Sequence, residues 1–388
     1  MNNLDLVPAD FTRDEEISLF QRSVGGFLDE YANSDVIDAW RKNKQVGKNV
    51  WRAAGEKGLL GVSVPAEYGG AGGDFRHEAI IVQEVGHRMA DAFTLSLHNA
   101  VILPYITSYG TEAQKRTWLP RLCSGELISA IAMTEPAAGS DLQGMRAKAE
   151  KAQGGYLLSG QKTFISNGQI ADLIIVAAKT NPDAGSKGIS LFIVDATTAG
   201  PGFSRGRNLE KVGQEGQDTS ELFFDNVFVG EDMLLGEREG AGLSQLMAKL
   251  PQERIVIAWQ AMAMIERALS ETIEYVRSRE MFGQKLATFQ NTQFQLAEYK
   301  TQATVAKVFL NHCTEKLVAG ELDTATASMA KYWISDQLSQ IVDGCLQLFG
   351  GYGYMTEYPI GRLYRDSRIH RIYGGANEVM KLLIARTL

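Results

Sequence analysis

Side chains that bind metals or form disulfides are scarce in this chain. Its 388 residues include only three cysteines, Cys123, Cys313 and Cys345, and these lie far apart. Their spacing fits neither a zinc motif nor a disulfide framework, and so few cysteines suit a reducing compartment. The five histidines are scattered too, with no pair at helical metal-ligand spacing. We therefore expect no metal site and predict a cytoplasmic protein.

Long apolar runs and blocks of positive charge are also missing. The longest apolar stretch, residues 255–265, is too short to span a bilayer. The start, MNNLDLVPADFTRDEE, has no signal-peptide or transit-peptide character. Acidic residues outnumber basic ones by 46 to 39, and without a basic block we expect no nucleic-acid partner. Hydrophobic residues make up 45% of the chain, which is ample for the core of a large globular protein.

The first third of the chain has helical patterns, and the next third has strand patterns. Thr12 and Glu15 match a capping box, which predicts a helix start. The apolar stripe of that helix is Ile17, Phe20, Val24, Phe27 and Tyr31. From residue 127 to 229, short β-rich runs alternate with turn residues, and no helices separate them. This pattern predicts a closed or sandwiched antiparallel sheet rather than a βαβ array.

Long helices return after residue 240. In LPQERIVIAWQ, residues 250–260, Pro251 and Glu253 have the character of a first helical turn, where an acid complements the helix dipole. The residues that follow are apolar on nearly all sides, as in a buried helix. Asp323 is the predicted N-cap of a later helix that stops at FGG, residues 349–351. The helix between them has an apolar stripe at Phe294, Ala297, Thr301, Val305 and Val308.

Several glycine-rich or charged segments are ambiguous when taken alone. FGGYGY, residues 349–354, is close to a dinucleotide-binding pattern, but it follows a helix rather than a strand and so indicates a helix end. TEPAAGSD, residues 134–141, offers hydroxyls and backbone N–H groups that could bind a phosphate or a heterocycle, or could merely close a turn. Arg279 in RSREMFGQK is either a helix-end cation or part of an anion site.

The order of these segments is more specific than any one of them. AMTEPAAGSD, GQKTFISNG, RSREMFGQKLATFQ, QLFGGYGYMTEYP and RIYGGANEVMKLLIAR together resemble the acyl-CoA dehydrogenases over essentially the whole chain. The resemblance implies an α+β multi-domain fold, with a helical N-terminal domain (1–126), a middle antiparallel β domain (127–238) and a C-terminal four-helix bundle (239–388). It also implies an FAD-dependent oxidoreductase of fatty acid β-oxidation, an acyl-CoA substrate, an electron-transfer flavoprotein as acceptor, and a homo-oligomer, expected to be a tetramer.

The resemblance assigns residues to the cofactor. Met133 and Thr134 would meet the pyrimidine side of the flavin, and Phe164 and Ser166 would lie near the ring, with Ser166 at N5. Arg279 would help to hold the diphosphate and adenosine across a subunit interface, because a charge-assisted hydrogen bond to a diphosphate is strong. Further residues matched to the cofactor are Phe282, Gln290, Gln347, Gly351, Ala376 and Glu378.

The resemblance also assigns residues to the substrate, and it reveals one departure. Ser140 would hold the pantetheine, and Tyr373 and Gly374 would lie at the thioester. Most family members have their catalytic glutamate directly after this tyrosine, where the present chain has Gly374. The long-chain and isovaleryl-CoA dehydrogenase type instead has its base one residue before an arginine on a buried helix. That position is Glu253, before Arg254. Arg254 is assigned to the substrate side of the site, either as an electrostatic partner of Glu253 or as a structural cation of the same helix.

The expected reaction removes a proton from Cα and a hydride from Cβ of the thioester. A positioned carboxylate contributes roughly 10² to 10⁴ in rate, and donors on the thioester oxygen stabilise the developing enolate. Gly374 is expected to leave space beside the substrate that a glutamate side chain would occupy. The sequence therefore leaves the substrate open between a long and a branched acyl group. It also leaves open two other functions. The first is a flavin- or acyl-CoA-binding protein without turnover, which the missing tail glutamate suggests. The second is an acyl-CoA oxidase, although the sequence lacks the long extra C-terminal region of that group.

Overall fold

Helices and strands occupy separate stretches of the chain. The structure is a computed structural model that describes Leu4, Leu6 and residues 8–388. The N-terminal helices are α1 (Glu15–Tyr31), α2 (Ser34–Asn43), α3 (Lys48–Glu56), α4 (Phe75–His87), α5 (Leu103–Tyr109) and α6 (Glu112–Cys123), with a π-helix at Leu97–Ile102. The strands are β1 (Ser129–Ala132), β2 (Lys148–Ala152), β3 (Gly155–Ser166), β4 (Leu173–Lys179), β5 (Ile189–Asp195), β6 (Phe203–Asn208) and β7 (Thr219–Gly230).

The C-terminal part is helical again. It contains α7 (Gly242–Ser278), a short hairpin of β8 (Glu280–Met281) and β9 (Gln284–Lys285), α8 (Gln290–Val318), α9 (Thr324–Phe349), α10 (Pro359–Ser367) and α11 (Asn377–Ala385). The long helices α7, α8 and α9 pack together, and the two short helices α10 and α11 pack on α9. The succession of helical, β and helical parts is as predicted. The exact boundaries at 126/127 and 238/239 stay predictions.

The seven strands form one mixed sheet. Most neighbours are antiparallel, as predicted, but β1 and β4 run parallel over Ser129–Ala132, and β2 touches β4 in parallel at a single residue pair. The parallel pairs arise because the chain crosses the sheet between β1 and β4 instead of returning through a hairpin. Periodicity within a strand does not reveal the direction of its neighbour.

The helix α7 lies where all three parts of the chain meet. Apolar side chains of the N-terminal helices and of α7, α8 and α9 form one core. A second core joins α5 and α6 to β4 and β5 and to Leu246 of α7. Consequently α7 is buried along much of its length, and its buried residues include the charged Glu253 and Arg254.

The start of α1 differs from the prediction. Asp14 is its N-cap, and the Asp14 carboxylate accepts a hydrogen bond from the N–H of Glu16. Thr12 lies one short turn earlier, where its hydroxyl donates to the carbonyl of Ala9. The capping box of Thr12 and Glu15 was therefore wrong, because the turn at Asp10–Arg13 uses the Thr12 hydroxyl. The predicted stripe from Ile17 to Tyr31 does face the core.

The start of α7 differs as well. The helix begins at Gly242, so Pro251 lies inside it and Glu253 is not a first-turn acid. Pro251 has no N–H to donate to the carbonyl of Met247, which weakens the helix locally just before Glu253. The interpretation of Glu253 as a partner of the helix dipole was wrong, because that effect is confined to the first turn. Asp323 caps α9 as predicted.

The predicted stripe of α8 faces away from the core. Phe294, Val305 and Val308 are each at least half exposed, and Ala297 and Thr301 are exposed too. The buried face of α8 instead carries Thr292, Ala303, Ala306, Lys307 and Leu310. Two faces of this helix are thus suited to packing, and the more apolar one has no partner within the described chain.

Candidate active site

A cavity of about 390 Å³ lies between the β sheet, α7 and the loop before α11. Its wall is contributed by all three parts of the chain. Nine of the residues selected from the sequence line it, namely Met133, Thr134, Ser140, Phe164, Ser166, Glu253, Arg254, Tyr373 and Gly374. Residues more than two hundred positions apart in the sequence therefore share one site.

Phe164 has an unusual backbone and an exposed ring. It lies in a β-bulge of β3 with φ of 59°, and its side chain is 66% exposed. A bulky residue with positive φ is strained, and such strain is concentrated at functional sites. The bulge turns the ring into the cavity, while the N–H of neighbouring Thr163 donates to the carbonyl of Thr134. Two residues further on, the Ser166 hydroxyl accepts a hydrogen bond from Gln217 at 2.8 Å.

A buried ion pair supports the loop that carries Met133 and Thr134. Lys162 Nζ lies 2.8 Å from Glu135 Oε1 and 3.0 Å from the carbonyl of Met133. Glu135 also accepts hydrogen bonds from the N–H groups of Arg146 and Ala147. Burial opposes the charge on Glu135, but Lys162 and these donors hold its pKa below the usual value. Sequence reasoning missed this pair, although both residues lie within the quoted motifs.

Glu253 is a buried carboxyl in the cavity wall. It is 6% exposed, and its Oε1 accepts a hydrogen bond from the hydroxyl of Tyr105 at 2.7 Å. Burial raises the pKa of Glu253 to about 7, against the opposing effects of Tyr105, Arg254 and Lys249. A carboxyl with that pKa is suited to general base catalysis near neutral pH, because it is partly ionised and still basic.

Arg254 does not form an ion pair with Glu253. Its guanidinium donates to the hydroxyl of Ser328 at 3.2 Å, and its buried Nε has no hydrogen-bond acceptor among the described residues. Burial lowers the pKa of Arg254, although the nearby charge of Glu253 favours its protonated form. A buried guanidinium N–H beside a cavity is a donor for a ligand.

The loop from Tyr373 to Gly375 closes one side of the cavity. The Tyr373 hydroxyl donates to Gln260 of α7 at 2.9 Å. Lys331, fully buried in α9, donates to the carbonyl of Gly375 and to the side chain of Asn377. Burial, with the charge of Arg254, lowers the pKa of Lys331 to about 7. We find no acceptor for the N–H of Gly374 among the described residues.

The space beside Gly374 is not empty, although glycine has no side chain to fill it. Its φ is +63°, and a Cβ at this position would overlap Cδ1 of Ile257. Ile257 lies one turn after Glu253 on α7 and lines the same cavity. The sequence-based expectation that Gly374 opens space beside the substrate therefore needs correction, because Ile257 fills that space.

A second carboxyl lines the cavity. Burial and the charge of Asp366 raise the pKa of Asp91 to about 7, and Arg41 opposes the shift. Asp91 lies near Tyr373, whose pKa it raises together with burial. The sequence motifs predicted no role in the site for Asp91, Gln217, Gln260 or Lys331. The reason is that the partners of these residues are distant from them in the sequence.

A separate groove of about 760 Å³ contains other residues that were matched to the cofactor. Arg279, Gln347 and Gly351 line it, and Arg279 stacks on the ring of Tyr352 at 5.4 Å. Phe282 lies outside it, 87% exposed at the tip of the β8–β9 hairpin with φ of 52°. Gln290 is exposed at the start of α8, and it does not line the groove either.

The remaining two matched residues lie at the start of α11. Ala376 precedes the helix and Glu378 is an exposed residue of its first turn, and neither lines the cavity. The cavity and the groove share no lining residue. Within the described chain nine of the sequence-selected residues line the cavity, three line the groove, and the other four line neither.

Within residues 8–388, together with Leu4 and Leu6, no helix has the length and apolar character needed to cross a membrane. No three histidine, cysteine or acidic side chains in the same part of the chain come together in a way that could hold a metal ion.

Comparison with known proteins identifies the family. Models of the acyl-CoA dehydrogenase N-terminal, middle and C-terminal domains match residues 14–126, 130–227 and 240–388. The chain belongs to the acyl-CoA dehydrogenase family, a family of flavoprotein oxidoreductases. The resemblance inferred from the five motifs is thereby confirmed, as is the fold of helical, β and helical parts.

Three relatives show the extent of the similarity. The long-chain specific acyl-CoA dehydrogenase of Rattus norvegicus mitochondria is 43% identical over 378 residues, which cover 96% of this chain and 86% of the rat protein. The crystal structure of an acyl-CoA dehydrogenase from Geobacillus kaustophilus has 44% identity and a TM-score of 0.94, covering 96% and 98% of the two chains. A Mycobacterium smegmatis glutaryl-CoA dehydrogenase in complex with FADH2 has 28% identity and a TM-score of 0.89, covering 97% and 96%.

The buried pair of Lys162 and Glu135 gives a first prediction. Lys162→Met leaves the Glu135 carboxylate buried without its partner, which should destabilise the protein by about 3–5 kcal/mol. Thermal unfolding followed by circular dichroism would measure the loss. The double variant Lys162→Met, Glu135→Gln is the control, because the amide carries no charge. If the double variant unfolds at a temperature no higher than the single one, the lost ion pair is not the cause.

Proposed function

We propose that this chain oxidises an acyl-CoA thioester to the trans-2-enoyl-CoA, with Glu253 as the base. The observation that carries the proposal is the buried Glu253 carboxyl in the cavity wall, with a pKa of about 7. A protein that only binds a flavin or an acyl-CoA has no need of a carboxyl held at such a pKa, since its burial costs stability. The absent glutamate at position 374 is therefore no argument against turnover.

FAD is the proposed cofactor, and the residues of the cavity fit a flavin. Phe164 offers an exposed aromatic face, Ser166 offers a hydroxyl held by Gln217, and Met133 and Thr134 lie on a loop supported by Lys162. These groups match a flat heterocycle with polar edges. In a bound state the flavin would accept the hydride from the substrate Cβ, which is chemistry of the cofactor itself.

The protein residues would act on the other half of the reaction. Glu253 accepts the proton from Cα, and its apolar surroundings keep the carboxylate basic. The N–H of Gly374 is a candidate donor to the thioester oxygen, where negative charge develops. Ser140, an exposed residue of the cavity wall, would meet the pantetheine. Reduction should therefore become faster as the pH rises through the pKa of Glu253.

The acyl group is proposed to be long or branched, and the similarity to the long-chain enzyme favours a long one. The helices contribute many apolar side chains to the cavity wall, as a hydrocarbon chain requires. They include Leu97, Val101, Leu246, Leu250, Val256 and Leu383. Ile257 occupies the space beside Gly374 and so disfavours a branch on that side.

We further propose that the enzyme is a homo-oligomer, a tetramer by analogy with its family, and that its electrons pass to an electron-transfer flavoprotein. The groove with Arg279 shares no residue with the cavity, so it is available to the cofactor of a neighbouring subunit. The exposed apolar residues of α8 and Phe282 are further surface that a neighbour would cover. The free and buried Cys123, Cys313 and Cys345 support a cytoplasmic location.

Removing the base should abolish reduction without loss of the cofactor. Glu253→Gln keeps the size of the side chain and the bond from Tyr105, so we expect a folded, yellow protein that binds substrate. Its rate of flavin bleaching in anaerobic stopped flow should fall by roughly 10²-fold or more. Asp91→Asn is the matched control, because it removes the other cavity carboxyl. If Asp91→Asn loses the reaction and Glu253→Gln retains it, the base has been wrongly assigned.

Arg279 should matter for the cofactor and not for the chemistry. Arg279→Ala removes a charged donor, so the Kd for FAD should rise about 10- to 100-fold. We expect low flavin content after purification and recovery of activity with added FAD. Arg277, exposed on the same helix end, lines neither the cavity nor the groove and provides the control as Arg277→Ala. Full flavin content in Arg279→Ala would remove that residue from the cofactor site.

The base should be movable to position 374 if room is made for it. Gly374→Glu alone puts a non-glycine residue in the left-handed backbone conformation, at a cost of about 1–2 kcal/mol. The Cβ of the new side chain also overlaps Ile257 Cδ1. Ile257→Val removes that atom. In a Glu253→Gln background, Gly374→Glu with Ile257→Val should therefore regain more bleaching than Gly374→Glu without it. Equal rates in the two variants would show that Ile257 does not limit a side chain at position 374.

A further inference from the structure

Tyr105 is the one group that bonds directly to the Glu253 carboxyl within the described chain. Tyr105 is fully buried, and its hydroxyl lies 2.7 Å from Glu253 Oε1. Glu253 lines the cavity but Tyr105 does not. The hydroxyl thus approaches the carboxyl from the protein side, and it occupies one carboxyl oxygen without entering the space available to a substrate.

An irregular helix brings Tyr105 to this place. The π-helix Leu97–Ile102 precedes α5 directly, and its wider turn changes the direction in which the residues of α5 face. The side chain of Gln252 donates to the carbonyl of Ala100 in this π-helix at 2.7 Å. Two adjacent residues of α7 therefore contact the continuous segment formed by the π-helix and α5. Gln252 bonds to Ala100, and Glu253 bonds to Tyr105.

The charged groups near Glu253 are directed elsewhere. Lys249, on the same helix, donates to the hydroxyl of Ser108 at 2.6 Å and lies over the ring of Tyr109. Arg254 donates to Ser328 across the bundle. From α5, Tyr109 donates to the carbonyl of Gln245 and does not reach Glu253. These groups act on Glu253 through space, whereas Tyr105 is in contact with it.

We propose that Tyr105 is a positioning residue for Glu253. Its hydroxyl fixes one carboxylate oxygen, favours the ionised form of the base, and leaves the other oxygen to face the substrate Cα. The inference rests on the proposed function of Glu253 as the base. Tyr105 itself does not line the cavity.

Tyr105→Phe tests the proposal, because it removes the hydroxyl and keeps the ring. A hydrogen bond donated to a carboxylate lowers its pKa, so its loss raises the pKa of Glu253. The midpoint of the pH profile for flavin bleaching should move upward by about one pH unit, which lowers the rate at pH 7 roughly fivefold. The substrate concentration giving half-maximal bleaching and the flavin content should not change. Tyr109→Phe, on the next turn of α5, is the matched control and should leave the profile in place.

An isosteric replacement keeps the test valid even if Tyr105→Phe fails to fold. Site-specific 3-fluorotyrosine at position 105 has a more acidic hydroxyl and donates more strongly, so it should move the midpoint to lower pH. Opposite shifts in the two variants support the positioning role. An unchanged midpoint in either folded variant overturns it, since a purely structural tyrosine would alter the melting temperature alone.

Glu253→Gln separates this inference from the proposed function. If Glu253→Gln bleaches as fast as the parent, Glu253 is not the base and both proposals are wrong. If Glu253→Gln is inactive but the Tyr105 variants keep the parent pH profile, only the role of Tyr105 is wrong. Combining Tyr105→Phe with Glu253→Gln should add no further loss to the residual rate, because the hydroxyl acts through the carboxyl.

Discussion

The burial of one carboxyl on α7 is the constraint around which this structure is arranged. A buried carboxyl is costly unless it is hydrogen-bonded or neutral. Glu253 meets that cost through Tyr105 and through a pKa of about 7, which leaves it partly protonated. The hydrogen bond from Tyr105 and the raised pKa both require α5, α7 and the β sheet to pack around the Glu253 carboxyl. Residues from all three parts of the chain thus line the cavity around the carboxyl that we propose as the base.

Much of the fold was predictable because local patterns repeat over long segments. The buried stripe of α1, the apolar start of the long C-terminal helix and the Asp323 cap all follow from spacing in the sequence. The failures concern choices between local alternatives. Thr12 and Asp14 are both good caps, and only the turn before α1 decides between them. Pro251 is favourable in a first turn, yet tertiary packing extends α7 well before it.

The candidate site was predictable only in part, for a different reason. The residues assigned to the cavity lie in motifs that are visible in the sequence, and their order suggested the family. Their supporting partners carry no such signal. Tyr105 and Glu253 are separated by 148 positions, and Lys331 reaches Gly375 across 44. Such contacts depend on how the helices pack, and no spacing rule within one helix can reveal them. The exposed stripe of α8 illustrates the same limit, because periodicity identifies an apolar face but not what covers it.

Under the proposed function the base lies on a helix, and this has a consequence for the opposite wall of the cavity. A base at position 374 would depend on a loop, whereas a base at Glu253 is fixed by a buried helix, and helices hold functional groups more precisely than loops do. The loop is then free to contribute backbone only. Its positive φ values at Gly374 and Gly375 suit glycine, and Lys331 and Asn377 tie it to α9. Ile257 completes this arrangement, since it fills the space that a side chain on the loop would need. Three features therefore depend on one another: the glycine at position 374, Ile257 on α7, and the position of the proposed base. A side chain at position 374 would need a smaller residue at position 257, and only then could a base lie on the loop.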